Sequence, residues 1–293
     1  MVGRIVEVAD DARHLNVYRG FLVVKSTGEN SAELGRIPLD DIEAVIANAH
    51  GLSYTNNLLV ALAERSAPMV ICGANHNVAA MLISVDGNYQ QAKRFDAQIA
   101  ATKPKRKQLW AVLVKAKLQQ QAAVLAAIGA PDAPLNALID KVRSGDPDNI
   151  EAQAARRYWS LLFGSQFRRD RDAPGTNSLL NYAYTVLRAC VARAVVAAGL
   201  HPTLGVHHQN EGNAMRLVDD LIEPFRPLMD MKVWQLTQSG RTELSADVKR
   251  ELVQMGLRPS VLQCKNWQFP LPNFIWARLT NWSYRWEYYH WIC

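Results

Sequence analysis

The sequence predicts an α+β protein, with a small β-rich N-terminal domain over residues 1–97 and a larger all-α domain over residues 98–264. Three observations predict it. The first 95 or so residues consist of short runs such as RIVEV, HLNVYRGFLVV and APMVICG, parted by turn material such as STGEN and GANHN. Beyond Phe95 the texture becomes rich in Ala, Gln and Lys, with apolar residues at helical spacing. Finally, 49% hydrophobic and 20% charged residues describe a chain that buries a core, not a disordered one.

In chain order, Leu15 and Val17, then Phe21 and Val23, alternate with polar neighbours as half-buried strands do. One helix interrupts the strands: Thr55 is placed to cap NNLLVALAERS, with Leu58, Leu59, Leu62 and Ala63 on one face. A last strand and turn, VAAMLISVDGN, end this half. Residues 96–129 read as helix, with Leu109, Val112, Leu113 and Ala116 at its spacing. The break GAPDAP, a short helix and the turn SGDPDN follow. Helical runs resume at 150–166, 177–199, 213–223 and 243–256. Residues 265–293 are set apart as a Trp-rich tail, for Trp267, Trp276, Trp282, Trp286 and Trp291 all fall there.

Lys and Arg number 33 against 27 Asp and Glu, a formal charge of +6 that favours an anionic partner, nucleic acid or acidic membrane alike. The four cysteines (Cys72, Cys190, Cys264, Cys293) form no CxxC pair, which offers neither a zinc site nor a disulfide framework. The N-terminal residues carry acids where a secretory signal needs an apolar stretch. No apolar run approaches the roughly 20 residues that span a bilayer. The expectation is a cytoplasmic protein that does not enter membranes.

Three features could carry chemistry. In DNIEAQAARRYW, residues 148–159, Asp148 or Asn149 can cap a helix and put Glu151 in its first turn. Taken alone, such a glutamate is usually a solvated acid at the positive end of the helix. In LGVHHQNEGNAMRLVDDLIEPFRP, residues 204–227, His207 and His208 precede a helix bearing Asp219, Asp220 and Glu223. Spacings of three and four place these acids on one helical face, where they repel unless a cation neutralises them. Imidazole with carboxylates suits Mn²⁺ and tolerates Mg²⁺. The plain alternative is an acidic solvated helix beside a loop histidine, and either histidine is open. The third feature is basic: Lys103, Lys105, Arg106 and Lys107, then Arg156, Arg157, Arg168, Arg169 and Arg171, with Tyr158, Trp159 and Phe167 interleaved. Charge runs are usually solvated faces, but these flank the proposed acidic helix, and phosphate binding accounts for them economically.

Together these segments resemble the CRISPR-associated integrase family of spacer acquisition, Cas1. EAQAARRYW resembles its Glu-x-x-Ala-Ala-Arg-x-Tyr helix. NSLLNYAYTVLRA, residues 177–189, resembles its Asn-x-x-Leu-Asn-Tyr-x-Tyr-x-x-Leu segment. LGVHHQN with DLIEPFRP resembles its histidine loop and its Asp-Leu-x-Glu-x-Phe-Arg-Pro helix. The likeness runs in order to about residue 260, and its detail is nearest to the type II form that accompanies the Cas9 effector. The Trp-rich tail has no counterpart in it.

The resemblance implies a β-rich dimerisation domain, a helical catalytic domain and a homodimer that assembles with a small Cas2-like partner, and with the Cas9 effector as a further associate. It implies insertion of short DNA fragments into a CRISPR array, with Mg²⁺ or Mn²⁺ held by Glu151, His208 and Glu223. His208 is chosen over His207 because it takes the fourth place of Gly-x-x-His, and Asp220 is a nearby assisting acid. Lys103, Lys105, Arg106, Lys107, Arg156, Arg157, Arg168 and Arg169 would contact DNA. Removing any one ligand should abolish strand transfer and, by relieving repulsion, leave stability without metal unchanged or raised. One rival is a non-catalytic nucleic-acid scaffold. Another is a helical-bundle metal oxidase, which expects Glu-x-x-His pairs; here no glutamate stands three before the histidine.

Overall fold

A computed structural model of the chain describes residues 4–28, 31–73, 78–85 and 90–256. Among the described residues eight strands precede residue 83, interrupted by one α-helix: β1 Arg4–Val8, β2 Arg13–Tyr18, β3 Phe21–Ser26, β4 Glu33–Pro38, β5 Ile42–Ala47, β6 Leu52–Tyr54, β7 Met69–Cys72 and β8 Val78–Leu82. They form two four-stranded sheets, β1-β5-β7-β8 and β4-β3-β2-β6. β1, β5 and β7 run parallel, and β8 returns antiparallel to β7. The expected hairpin HLNVYRGFLVV is present as β2 and β3 in antiparallel register. β4, β5 and β6 were not singled out in the sequence.

Helix α1, Asn56–Glu64, starts where expected, because the Thr55 hydroxyl accepts the Leu58 N–H. Between the sheets and α1 lies one core that includes Val6, Val8, Leu15, Leu22, Val45, Leu58, Leu62 and Met69. The alternate residues of the first sheet, Ile5, Ala44, Ile46, Val70 and Cys72, turn the other way into the helical core beside Trp110, Val114 and Leu179. Period-two alternation thus makes this sheet a shared wall. A polar tie crosses the same boundary: Tyr182 Oη donates to Glu7 Oε2 at 2.5 Å, and Asn48 Nδ2 donates to Glu7 Oε1 at 2.7 Å.

The helices are α2 Gln91–Ile99, α3 Lys103–Ala127, α4 Ala133–Ile139, α5 Ile150–Phe163, α6 Thr176–Ala197, α7 Arg216–Ile222, α8 Arg226–Gln238 and α9 Ala246–Gly256. The residue 97/98 boundary falls inside α2, and the expected 96–129 helix divides between α2 and α3. α8 was not anticipated. The two prolines of EPFRP read as a helix end, yet Pro224 only tightens the chain into a 3-10 turn, Glu223–Phe225, and Pro227 sits in the first turn of α8, where its missing N–H is harmless. α6 is long and apolar enough by length and composition to cross a membrane, unlike the expectation, but 61% of that window is buried inside the protein, so it reads as a core helix. α3 is buried on most sides and packs against α4, α5, α8 and the 3-10 turn. The Trp-rich tail lies outside the described residues.

Candidate active site

The start of α5 is set by an acid two residues earlier than expected. Asn149 has left-handed backbone angles (φ 51°, ψ 45°) and its side chain caps nothing, while Asp148 pairs with Arg143. The Asp146 carboxylate instead accepts the Ile150 and Glu151 N–H groups, each at 2.9 Å. Glu151 is therefore anchored through its own backbone, with its side chain 23% exposed.

Across from it, Glu223 opens the 3-10 turn with a side chain only 6% exposed. Lys117 of α3 lies between the two acids: its Nζ donates to Glu151 Oε1 at 2.6 Å and to Glu223 Oε2 at 2.6 Å. Arg226 adds a contact to Glu223 Oε1 at 3.3 Å. Burial pushes the Glu223 carboxyl up, but Arg226 and Lys117 outweigh it and hold the group below the usual carboxylate range. Burial likewise disfavours the Lys117 ammonium, and the two glutamates more than reverse that. Behind them the Arg226 guanidinium lies 4.8 Å over the Tyr184 ring, and Tyr184 Oη donates to Asp230, whose burial pushes its carboxyl up to about 7.

The histidines stand on the loop before α7, and Asp220 organises that loop. Its carboxylate is fully buried and accepts the N–H groups of Val206 (2.6 Å), His207 (3.0 Å) and His208 (3.2 Å). Its Oδ1 also pairs with His208 Nδ1 at 2.7 Å. Gly205 permits the close approach: a Cβ there would lie 2.8 Å from Arg216 Cβ and 3.1 Å from Asp220 Oδ2. Further back, Gln98 of α2 accepts the His201 N–H at 2.7 Å and donates to the carbonyls of His201 and Leu204.

Asp220 raises the His208 pKa through that hydrogen bond, with burial opposing and the charges of Asp220, Glu223 and Asp219 adding. The pairing commits Nδ1 and leaves Nε2 as the nitrogen not turned to Asp220, the arrangement seen when a carboxylate orients a metal-binding imidazole. His207 differs. Its ring lies flat on Trp110, with centroids 4.1 Å apart and planes 6° apart. The expected repulsion among the α7 acids is absent because each has its own partner: Asp219 pairs with Arg188 (2.7 Å), Asp220 with the loop amides, and Glu223 with Lys117 and Arg226.

The basic residues divide by placement. Lys103, Arg106 and Lys107, from the first turns of α3, line a cleft of about 560 Å³ with Trp110, Gly145, Val206, His207 and Gln209. Lys105 is beside them but is not a lining residue. Arg156 and Arg157 are exposed on α5, and Arg157 donates to the Pro134 carbonyl. Arg168 donates to the carbonyls of Ser165 and Phe167. Arg169 turns inward, donating to Asn177 Oδ1 at 3.0 Å and Asn181 Oδ1 at 2.7 Å. Those bonds clamp the preceding loop to α6, so a free phosphate-binding guanidinium is not what this residue presents.

Among the described residues, no three His, Cys, Asp or Glu side chains converge as a ready-made metal cage. The donor chemistry still fits a divalent cation: two carboxylates aim at one positive charge, and the loop before α7 supplies an imidazole oriented by Asp220. Lys117, Asp146, Gln98 and Arg226 escaped the sequence reading. One signal was available for Lys117, which follows Trp110, Leu113 and Val114 by seven, four and three residues and so lies on the buried stripe of α3.

A family model described as "CRISPR associated protein Cas1" matches residues 6–262. A protein named CRISPR-associated endonuclease Cas1, from Neisseria meningitidis serogroup C (strain 8013), is 37% identical over 244 residues, covering 82% of this chain and 79% of that one. Among solved structures, a casposase bound to integration product superposes with a TM-score of 0.76 at 19% identity, over 96% of this chain and 92% of that one. A chain of a Cas6-RT-Cas1–Cas2 complex superposes with a TM-score of 0.70 at 18% identity, over 95% of this chain and 34% of that one. The two structures bear on the fold.

Proposed function

The chain belongs to the Cas1 family, and from that premise we propose that it is a nuclease/integrase of CRISPR adaptation that joins the 3′ ends of short DNA fragments to a repeat array. The observation that carries this reading is the convergence of Glu151 and Glu223 on one cation. The ligands would be Glu151, Glu223 and His208 Nε2. Mg²⁺ or Mn²⁺ bound there would polarise the target phosphodiester and stabilise charge developing on it.

The protein's own groups do the positioning. Asp146 and the α5 backbone hold Glu151, Arg226 holds Glu223, and Asp220 holds the His208 imidazole in one orientation. Lys103, Arg106 and Lys107 supply positive charge along the cleft for phosphates, and the exposed Arg156 and Arg168, with Lys105, would add further phosphate contacts. The nucleophile is a DNA 3′-hydroxyl, which attacks phosphorus as the target strand's 3′-oxygen leaves, so no covalent protein nucleophile is required. Water in the same place would make the site a nuclease. A homodimer joined to a Cas2-like partner is the assembly that presents two such sites to one DNA.

The deciding experiment supplies the protein, its Cas2-like partner, Mn²⁺ or Mg²⁺ and a supercoiled plasmid bearing the repeat array. Short duplexes with intact 3′ ends should become joined to the plasmid, and duplexes ending in dideoxynucleotides should not. Equal nicking with either duplex and joining of neither would overturn the integrase reading while sparing the metal site. DNA binding with neither nicking nor joining would leave a scaffold.

A further inference from the structure

Lys117 belongs to none of the segments that carry the family resemblance, yet it occupies the centre of the candidate site. Its stem runs along the buried face of α3, its side chain is 12% exposed, and its Nζ stands 2.6 Å from one oxygen of each glutamate. Without that ammonium, Glu151 and Glu223 would point at one spot with only Arg226 to offset them, an arrangement in which two carboxylates repel. Mg²⁺ takes oxygen ligands at roughly 2.0–2.1 Å, closer than the 2.6 Å at which the ammonium stands. The two cations cannot share the point between the glutamates.

We propose that Lys117 is the built-in counter-cation of this site, holding Glu151 and Glu223 in facing positions before metal arrives, and that it is the group metal displaces. The inference rests on the reading of these glutamates as metal ligands. The lysine stem has four flexible carbons, whereas the Glu151 backbone is held by Asp146 and the Glu223 carboxylate keeps its ion pair with Arg226. Displacement therefore moves the ammonium and leaves the carboxylates aimed. Metal binding must break two ion pairs, so apparent metal affinity is set by competition with the protein's own cation. Charge accounting agrees. Glu151, Glu223, Lys117 and Arg226 sum to zero, and exchanging the Lys117 ammonium for a divalent cation leaves the site at +1, a surplus suited to an incoming phosphodiester.

The test compares full-length wild type with Lys117→Met, which keeps the buried stem and removes the charge, and with Lys117→Gln, which also keeps N–H donors. After chelation, Mn²⁺ binding without DNA is measured by calorimetry and by loss of the free-ion EPR signal, and melting is followed in EDTA and in Mn²⁺. Lys117→Met should bind Mn²⁺ about tenfold tighter or more, because its competitor is gone. It should melt lower than wild type in EDTA and gain more on adding Mn²⁺. Lys117→Gln should also bind tighter than wild type, and it decides the matter should the methionine variant not fold. If wild type binds Mn²⁺ and both variants bind it equally or more weakly, Lys117 is only a strut and the proposal fails alone. If none of the three binds Mn²⁺, the metal reading falls and takes the proposal with it.

Discussion

The two halves of the centre are built by different means. Glu151 and Glu223 stand at the starts of helical segments and face cations, so packed helices aim them. His208 stands on a loop, aimed by one buried carboxylate and, further back, by one glutamine. The difference teaches that carboxylate geometry here is a property of the core, whereas imidazole geometry is a property of a small hydrogen-bond network. Damage to the first should appear in stability as well as activity. Damage to the second should appear in local order and metal affinity, with a smaller cost in stability.

The largest effect should come from Glu223→Ala. Strand transfer should be lost, and the stability of the metal-free protein should fall by about 3–5 kcal/mol, because removing one partner leaves Lys117 and Arg226 buried with unbalanced charge. This reverses the expectation that relief of repulsion leaves stability unchanged or raised. Glu151→Ala should also abolish transfer but cost less stability, since its side chain is more exposed. Chemical denaturation in EDTA reads both, and a Glu223→Ala protein as stable as wild type would erase the contrast between the halves.

Asp220→Ala should weaken metal affinity about 10- to 100-fold by freeing the imidazole. Hydrogen exchange should rise at the amides of Val206, His207 and His208 while those of Ile150 and Glu151 stay protected. Joint loss of protection would show one cooperative unit instead of two.

The pH dependence sharpens the same point. His208 in the folded protein titrates above its ordinary value of 6.5, so its contribution to stability is fully present below 6.5 and is lost as pH rises through the raised folded value. Metal binding has the opposite sign, because a ligand imidazole must be neutral: Mn²⁺ affinity should climb over that same interval. Asp220→Asn should move the midpoint down. A wild-type affinity flat across this range would remove His208 from the ligand set.

Gln98→Ala should cost about 1–3 kcal/mol, the penalty for loop groups left without partners. It should lower metal affinity less than Asp220→Ala does, because it holds the loop at Leu204 and His201, not at the imidazole. Smallest on stability is neutralisation of Lys103 and Lys107, which should leave melting unchanged, whereas Arg106 also donates to the Ala101 carbonyl. Neutralising the two lysines should make the slope of log DNA affinity against log salt shallower by up to about 0.9 per lost phosphate contact. An unchanged slope would reduce the cleft to a solvated surface.

Local signals made much of this legible in advance. Thr55 ahead of an apolar-periodic run announced α1, the alternation of Leu15 and Val17 announced β2, and the motifs around Glu151, His208 and Glu223 marked the site segments. Such features depend on residues within a turn or two of each other, and residue type with spacing records them. The sequence by itself determined which segments bear acids, imidazoles and positive charge, and that strands precede helices. What the tertiary structure alone decided is how those groups are neutralised and aimed. Lys117 meets Glu223 from 106 positions away, and Gln98 meets His201 from 103. Asp220 reaches back to the loop before its own helix, and Arg169 turns inward to Asn177 and Asn181. A buried charge must find its counter-charge wherever packing brings one, and packing joins residues with no regard to their distance along the chain.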